Sequence, residues 1–299
     1  MDGLSFVHAR FARITAFLLL TAIFAGPAGA TSASPVNQES AHAPDDSAPT
    51  HGQSPVDLSN PYVVDLKDVQ FFYPETAMLT VIDKGHTVQA ALQTPGAYIV
   101  VDGARFNLVQ FHTHVPAEHH VEGQGFDLEL HFVHKNPDTG ELAVVGLLAN
   151  VPSNDDTPNS ALAPFTSLLT NAAIPRKHNE EDHQETSLGN ISMNLINIFP
   201  ADKRAYRYPG SLTTTPYSEN VRWIVIKQPI SISHAQVSSV IKFTGKHTAR
   251  AVQPTLKRPI LLDSTVDAQP ALNRAVGTVV KRAQMQRKRP LRKAVRLPA

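Results

Sequence analysis

Six of the chain's 14 histidines crowd between positions 112 and 134: His112, His114, His119, His120, His131 and His134. An even spread along the chain would place about one there. Imidazole is the side chain that changes charge closest to neutral pH and the commonest metal ligand, so this density points to a metal centre or to proton chemistry. The residues around the histidines are those of β-strands. Phe106–His114 is one candidate strand, Phe126–His134 a second and Leu142–Ala149 a third. A loop holding Pro116 and Gly123 separates the first two, and the turn signal Pro137-Asp138-Thr139-Gly140 precedes the third.

Strand geometry sorts these side chains by face. Successive residues point to opposite sides, so Gln110, His112 and His114 share one face while Phe111 and Thr113 take the other. On the second strand Glu129, His131 and Val133 go together, opposite Leu130, Phe132 and His134. Two imidazoles at i and i+2, with a third from an antiparallel neighbour, can converge on one ion. Three histidines with an open fourth position is a catalytic zinc arrangement, since a structural site closes with four protein ligands. Copper and cobalt also take imidazole, so ligand type alone leaves the metal open. Gln110 and Glu129 lie on the same faces as His112 and His131, and their oxygens can accept the second ring N–H of a ligating histidine. The competing reading is a polar strand pair facing solvent. It is disfavoured because an amide and a carboxylate turned inward among apolar neighbours are costly without such partners.

The rest of the chain must build and carry that strand pair. It has 299 residues, 42% hydrophobic and 18% charged, enough for one sizeable core and too mixed for a disordered, collagenous or polytopic membrane protein. The formal balance of 27 basic against 26 acidic residues hides an asymmetry: eight basic side chains lie between 281 and 296, and no acid follows 281. Setting those eight aside leaves 19 basic against 26 acidic, a net of −7, which argues against nucleic acid as a partner. Cysteine is absent, so disulfides, thiolate metal sites and cysteine nucleophiles are excluded. Arg10 and Arg13, the apolar run Ile14–Phe24 and the small residues Ala28-Gly29-Ala30 read as an export signal cleaved after Ala30. The run is about half the length of a membrane span, which disfavours an anchor. A periplasmic or secreted protein is therefore expected. Residues 31–52 form a Ser, Pro and Asp-rich leader expected to be disordered. A folded domain spans 53–262, followed by a basic tail at 263–299 in which Ala271–Val280 could form a short helix. The tail is either a solvated extension or an attachment to an anionic envelope surface.

The stretch Gln110-Phe111-His112-Thr113-His114-Val115-Pro116-Ala117-Glu118-His119, with Glu129-Leu130-His131-Phe132-Val133-His134, resembles the zinc-site motif of the α-class carbonic anhydrases. Further segments match that family in order: Gln53-Ser54-Pro55-Val56-Asp57-Leu58, Gly85-His86-Thr87-Val88, Glu141–Gly146, Tyr208-Pro209-Gly210-Ser211-Leu212-Thr213-Thr214, and Trp223-Ile224-Val225 with Pro229-Ile230. The resemblance implies a mainly β fold with short helices, a single domain around a large, mostly antiparallel twisted sheet of about ten strands, with Zn2+ in a conical cleft. It implies an enzyme, a zinc lyase that reversibly hydrates CO2 to bicarbonate and a proton by zinc-hydroxide attack. His112, His114 and His131 would bind the zinc, with Gln110 and Glu129 orienting rings. Thr213 would accept a hydrogen bond from the zinc-bound species and donate one to Glu118. His86 would shuttle the proton to solvent. Val133, Val144, Leu212, Val221 and Trp223 would line the CO2 side, and the Thr213 N–H with Thr214 would help bind bicarbonate or a sulfonamide inhibitor. His119 is expected to be buried and structural, and His120, His134, His178 and His183 to play no part as ligands.

The chain departs from the family in lacking the usual tryptophan-containing segment before Gln53, in lacking a disulfide, and in placing Thr215 where proline is common. The basic tail is likewise not a family feature. Two other function classes compete. A non-catalytic binding module of the same fold would typically have lost a zinc histidine, and all three remain. A zinc-storage protein would have no need of the Thr213–Glu118 pair.

Overall fold

Short apolar stretches separated by Gly, Pro and Asp fold into twelve strands among the described residues. The computed structural model describes residues 52–85, 87–173, 185–245 and 248–264. The signal segment, the leader up to residue 51, His86, His178, His183 and the tail from 265 onward, including 271–280, lie outside the described residues. The strands are β1 (Tyr62–Val64), β2 (Gln70–Phe72), β3 (Ala77–Asp83), β4 (Val88–Leu92), β5 (Tyr98–Val101), β6 (Ala104–His114), β7 (Leu128–Lys135), β8 (Leu142–Asn150), β9 (Thr186–Met193), β10 (Ala205–Ser211), β11 (Glu219–Ser231) and β12 (Leu261–Asp263). Two short helices, α1 (Ala163–Asn171) and α2 (His234–Thr244), and a 3-10 turn at Leu195–Ile198 complete the described elements.

All twelve strands join one mixed sheet in the order β1-β12-β10-β11-β8-β7-β6-β4-β3-β9, with β5 beside β6 and β2 beside β5. The β8/β11 and β1/β12 neighbours are parallel and the other pairs antiparallel. This agrees with the expected sheet of about ten strands; three of the twelve, β1, β2 and β12, are only three residues long, too short to show alternation in sequence. β8 is buried along nearly its whole length on both faces, which is why Leu142–Asn150 reads as a continuous apolar run rather than an alternating one.

The register at the centre of the sheet decides what each face carries. His112 lies opposite His131, Gln110 opposite Val133 and His114 opposite Glu129. The same face continues through His131/Gly146 and Val133/Val144, then Val144/Trp223, then Trp223/Tyr208. The opposite face carries Phe111 against Phe132 at 5.3 Å between ring centroids, with Phe165 of α1 5.2 Å from Phe111. A large apolar core therefore forms on the helix side. A smaller one, built on Val56, Leu58, Val144, Leu148, Tyr208 and Trp223, lies on the histidine side. α2 begins with a capping box in which Ser233 and Gln236 exchange backbone and side-chain hydrogen bonds, satisfying donors that a helix start leaves open. Its packing against α1 covers the large core.

His134 belongs to the helix-side core and not to the histidine cluster's face. It is fully buried, with Nε2 2.7 Å from the Tyr73 hydroxyl. Burial holds the Tyr73 hydroxyl well above its ordinary pKa, so it keeps its proton and donates it to a neutral ring. Burial also pushes His134 down from 6.5 to about 3. The unfolded chain therefore takes up this proton first as pH falls. The contribution to stability is complete above about 6.5 and is lost progressively toward about 3. The decline of Tm between pH 6.5 and 4.5 is expected to be shallower in His134→Gln than in the unaltered chain. Equal slopes in scanning calorimetry would contradict this.

Candidate metal centre

His112, His114 and His131 present ring nitrogens that all lie within 4.8 Å of one another. Their ring centroids are 5.0, 5.2 and 4.7 Å apart. His114 and His131 are each 1% exposed, whereas His112 is half-buried and marks the open side of the cluster. Each ring is gripped from behind. His112 Nδ1 is 3.0 Å from Gln110 Oε1. His114 Nδ1 is 3.1 Å from the carbonyl oxygen of Thr248. His131 Nε2 is 3.0 Å from Glu129 Oε1. An oxygen of this kind accepts an N–H, so each contact fixes the tautomer and directs the other nitrogen of that ring inward. Gln110 and Glu129 stand where the alternation places them, two residues from the rings they hold.

The third support, Thr248, carried no local signal in the sequence, since it lies 134 residues from His114. Its chain is stitched to β6's end by two more bonds, Thr248 N–H to Val115 O at 2.9 Å and Val115 N–H to Thr248 Oγ1 at 3.0 Å. Only the folded topology brings these segments together.

Glu129 is the centre of this arrangement. Its Oε2 accepts the backbone N–H groups of Glu118 and His119, both at 2.9 Å, and its Oε1 accepts His119 Nδ1–H at 2.8 Å and faces His131. Burial pushes the carboxyl up, but the pull of His119 and His131 prevails and holds it well below the usual carboxylate range. Burial in turn lowers His131, opposed by Glu129, which favours the neutral ring a metal needs. His119 is buried, as expected of a structural residue, between Glu129 and the Tyr208 hydroxyl 2.6 Å away. His119, Glu129 and His131 are also close enough to share an ion. There, however, Glu129 already accepts the His119 ring N–H and two backbone N–H groups, so its oxygens are taken up by hydrogen bonds.

Space for the Glu129 carboxylate comes from Gly146, which pairs with His131 across β7 and β8. A methyl on Gly146 would stand 2.8 Å from Glu129 Oε1 and 3.4 Å from Val225 Cγ2. Glu118, fully buried, lies 3.4 Å from His114 Nδ1 and accepts the backbone N–H of Arg250 at 2.8 Å. Burial pushes its carboxyl up to about 7, against the lowering pull of His131, of that N–H and of the neighbouring Thr213 side chain. Thr213 is 7% exposed, with Thr214 beside it half-buried. Val144, Val221 and Trp223 are almost fully buried, and Val133 and Leu212 pack half-buried against them. These five form an apolar wall continuous with His131, whose ring is 4.8 Å from Trp223. Among the described residues, His120 and His134 belong to neither group close enough to share an ion.

The chemistry of the donor set fits a divalent ion of the zinc type. It offers three imidazoles, a spacing that one ion could bridge, a neighbouring carboxylate and hydroxyl, and an apolar wall beside it. A model of the eukaryotic-type carbonic anhydrase family matches residues 37–278. A carbonic anhydrase of Klebsiella pneumoniae is 34% identical over 210 residues, covering 70% of this chain and 79% of that protein. The α-carbonic anhydrase of Photobacterium profundum superposes with a TM-score of 0.60 at 34% identity, over 70% of this chain and 88% of that one. The Thermovibrio ammonificans enzyme, in complex with the inhibitor sulfanilamide, does so with a TM-score of 0.60 at 34% identity, over 70% and 86%.

Gly146→Ala should displace Glu129 and, through it, His131. An affinity for divalent zinc or cobalt about 10–100-fold weaker is expected, read by chelator competition. Unchanged affinity would show that Glu129 does not set the His131 ring.

Proposed function

The chain belongs to the α-class carbonic anhydrase family and is a carbonic anhydrase, a lyase of carbon dioxide hydration, and on that premise we propose that His112, His114 and His131 hold a catalytic zinc ion. The observation that carries the reading is the fixed orientation of the three rings by Gln110, Thr248 and Glu129. When bound, zinc supplies a Lewis acid that brings the pKa of a coordinated water to about 7, a magnitude established on carbonic anhydrases themselves.

The chain's own residues do the rest. When ionised, Glu118 can only accept, so the Thr213 hydroxyl would donate to it, leaving the Thr213 oxygen to accept from a protic group at the metal. That direction would favour protic ligands over aprotic anions. Val133, Val144, Leu212, Val221 and Trp223 offer CO2 an apolar surface that makes no demand for hydrogen bonds. The Thr213 backbone N–H and Thr214 give the product bicarbonate polar contacts, and a sulfonamide anion would use the same groups; the sulfanilamide complex of a relative supports this. His86 carries the released proton to solvent, a role suited to a group titrating near neutrality. The enzyme acts outside the cytoplasm after removal of residues 1–30.

Stopped-flow CO2 hydration combined with metal analysis tests the reading. His112→Ala should lose both zinc and turnover; unaltered turnover would reject the assignment. His86→Ala should slow turnover mainly at low buffer concentration, and added imidazole should restore it. A wild-type rate that does not depend on buffer would reject the shuttle.

A further inference from the structure

The Thr213–Glu118 pair joins two loops distant in sequence, and one residue touches the supports of both. Glu118 Oε1 accepts the backbone N–H of Arg250. The guanidinium of the same Arg250 lies 3.7 Å over the ring of Tyr217. It also donates through Nη1 to Gln53 Oε1 at 2.9 Å and to the Ser54 carbonyl at 2.7 Å. Tyr217 closes the turn that carries Thr213 and Thr214, with Tyr217 N–H bonded to Thr214 O at 2.8 Å and Leu212 N–H to Ser218 O at 2.9 Å. Its φ of 56° is in the left-handed region, which a bulky residue keeps only where its surroundings enforce it.

The enforcement is visible. Gln53, whose Oε1 receives Arg250, donates Nε2–H to the Tyr217 carbonyl at 3.3 Å. Ser54 N–H donates to Ser211 Oγ at 2.9 Å, and Ser211 N–H to Ser54 Oγ at 3.1 Å. Gln53 and Ser54 are thereby tied to the last residue of β10, directly before Leu212. Stacking on Tyr217 sets one end of Arg250 against the Thr213 turn, while its main chain sets the other against Glu118.

From this we infer that Arg250 is a positioning residue for the Thr213–Glu118 pair. By holding the Thr213 turn through its guanidinium and the Glu118 carboxylate through its main-chain N–H, it keeps the Thr213 hydroxyl donating to Glu118, and so preserves the preference of the open position for protic ligands. The planar fork matters, because an ammonium could keep the carbonyl bond but would not stack. The inference rests on the zinc-site reading above. A clamp serving stability alone would lower Tm and leave ligand preference as it was.

The test compares two probes on the zinc-loaded full chain: acetazolamide, whose sulfonamide nitrogen keeps a proton to donate to Thr213, and thiocyanate, which has none. Arg250→Met is expected to weaken acetazolamide about tenfold or more, the scale of losing one well-aligned hydrogen bond, while thiocyanate shifts by less than about threefold. Arg250→Lys should fall between the two. If Arg250→Met fails to fold, Tyr217→Leu, which keeps the Gln53 and Ser54 bonds and removes the stack, should show the same selective loss at about threefold or more. An acetazolamide-to-thiocyanate ratio equal to that of the wild type, in whichever of these variants folds, overturns the proposal alone. A wild type that retains no zinc, or binds no acetazolamide, overturns the zinc-site reading and this proposal with it.

Discussion

Glu129 carries a negative charge where solvent does not reach, and the site is organised around satisfying it. Two backbone N–H groups, the His119 ring and the His131 ring surround its two oxygens. Removing one partner of such a buried charge typically costs about 3–5 kcal/mol, because the remaining charge is left uncompensated. The same contacts bind β7 to the loop of residues 115–120. A carboxylate that orients one imidazole therefore also fixes the backbone on which Glu118 sits. The polar network and the geometry of the metal centre are one set of bonds, possible only because Gly146 leaves room for the carboxylate.

The register of β6 against β7 is the second half of that constraint. Slipping either strand by one residue would exchange its two faces, sending Phe111 or Phe132 to the histidine side and that strand's histidines into the helix-side core. The aromatic packing of Phe111, Phe132 and Phe165 opposes such a slip. Core formation on one side of the sheet thus places the imidazoles on the other, and the stability of the domain and the precision of the site have a common origin.

Much of this was legible from residue order. The i, i+2 spacing of His112 and His114, and the matching positions of Gln110 and Glu129, assign faces correctly because β-alternation is a local rule. The structural character of His119 was expected as well. What alternation does not encode is long-range juxtaposition: Thr248 behind His114, Arg250 behind Glu118 and Gln53 under Tyr217 are joined only by the path of the chain through twelve strands. The three-residue strands β1, β2 and β12 escaped notice for the opposite reason, being too short to show a period. Gly146 gave no signal of its own, since its significance is the absence of a Cβ beside a carboxylate contributed by another strand.

The central claim is that three imidazoles from two adjacent strands share one zinc ion and leave one vertex for solvent. X-ray absorption spectroscopy of the zinc-loaded protein tests it most directly. The account predicts a four-coordinate ion with three histidine nitrogens at about 2.0–2.1 Å and one lighter-shell oxygen donor. A fourth protein ligand in that shell, or a shell with fewer than three imidazoles, would contradict it.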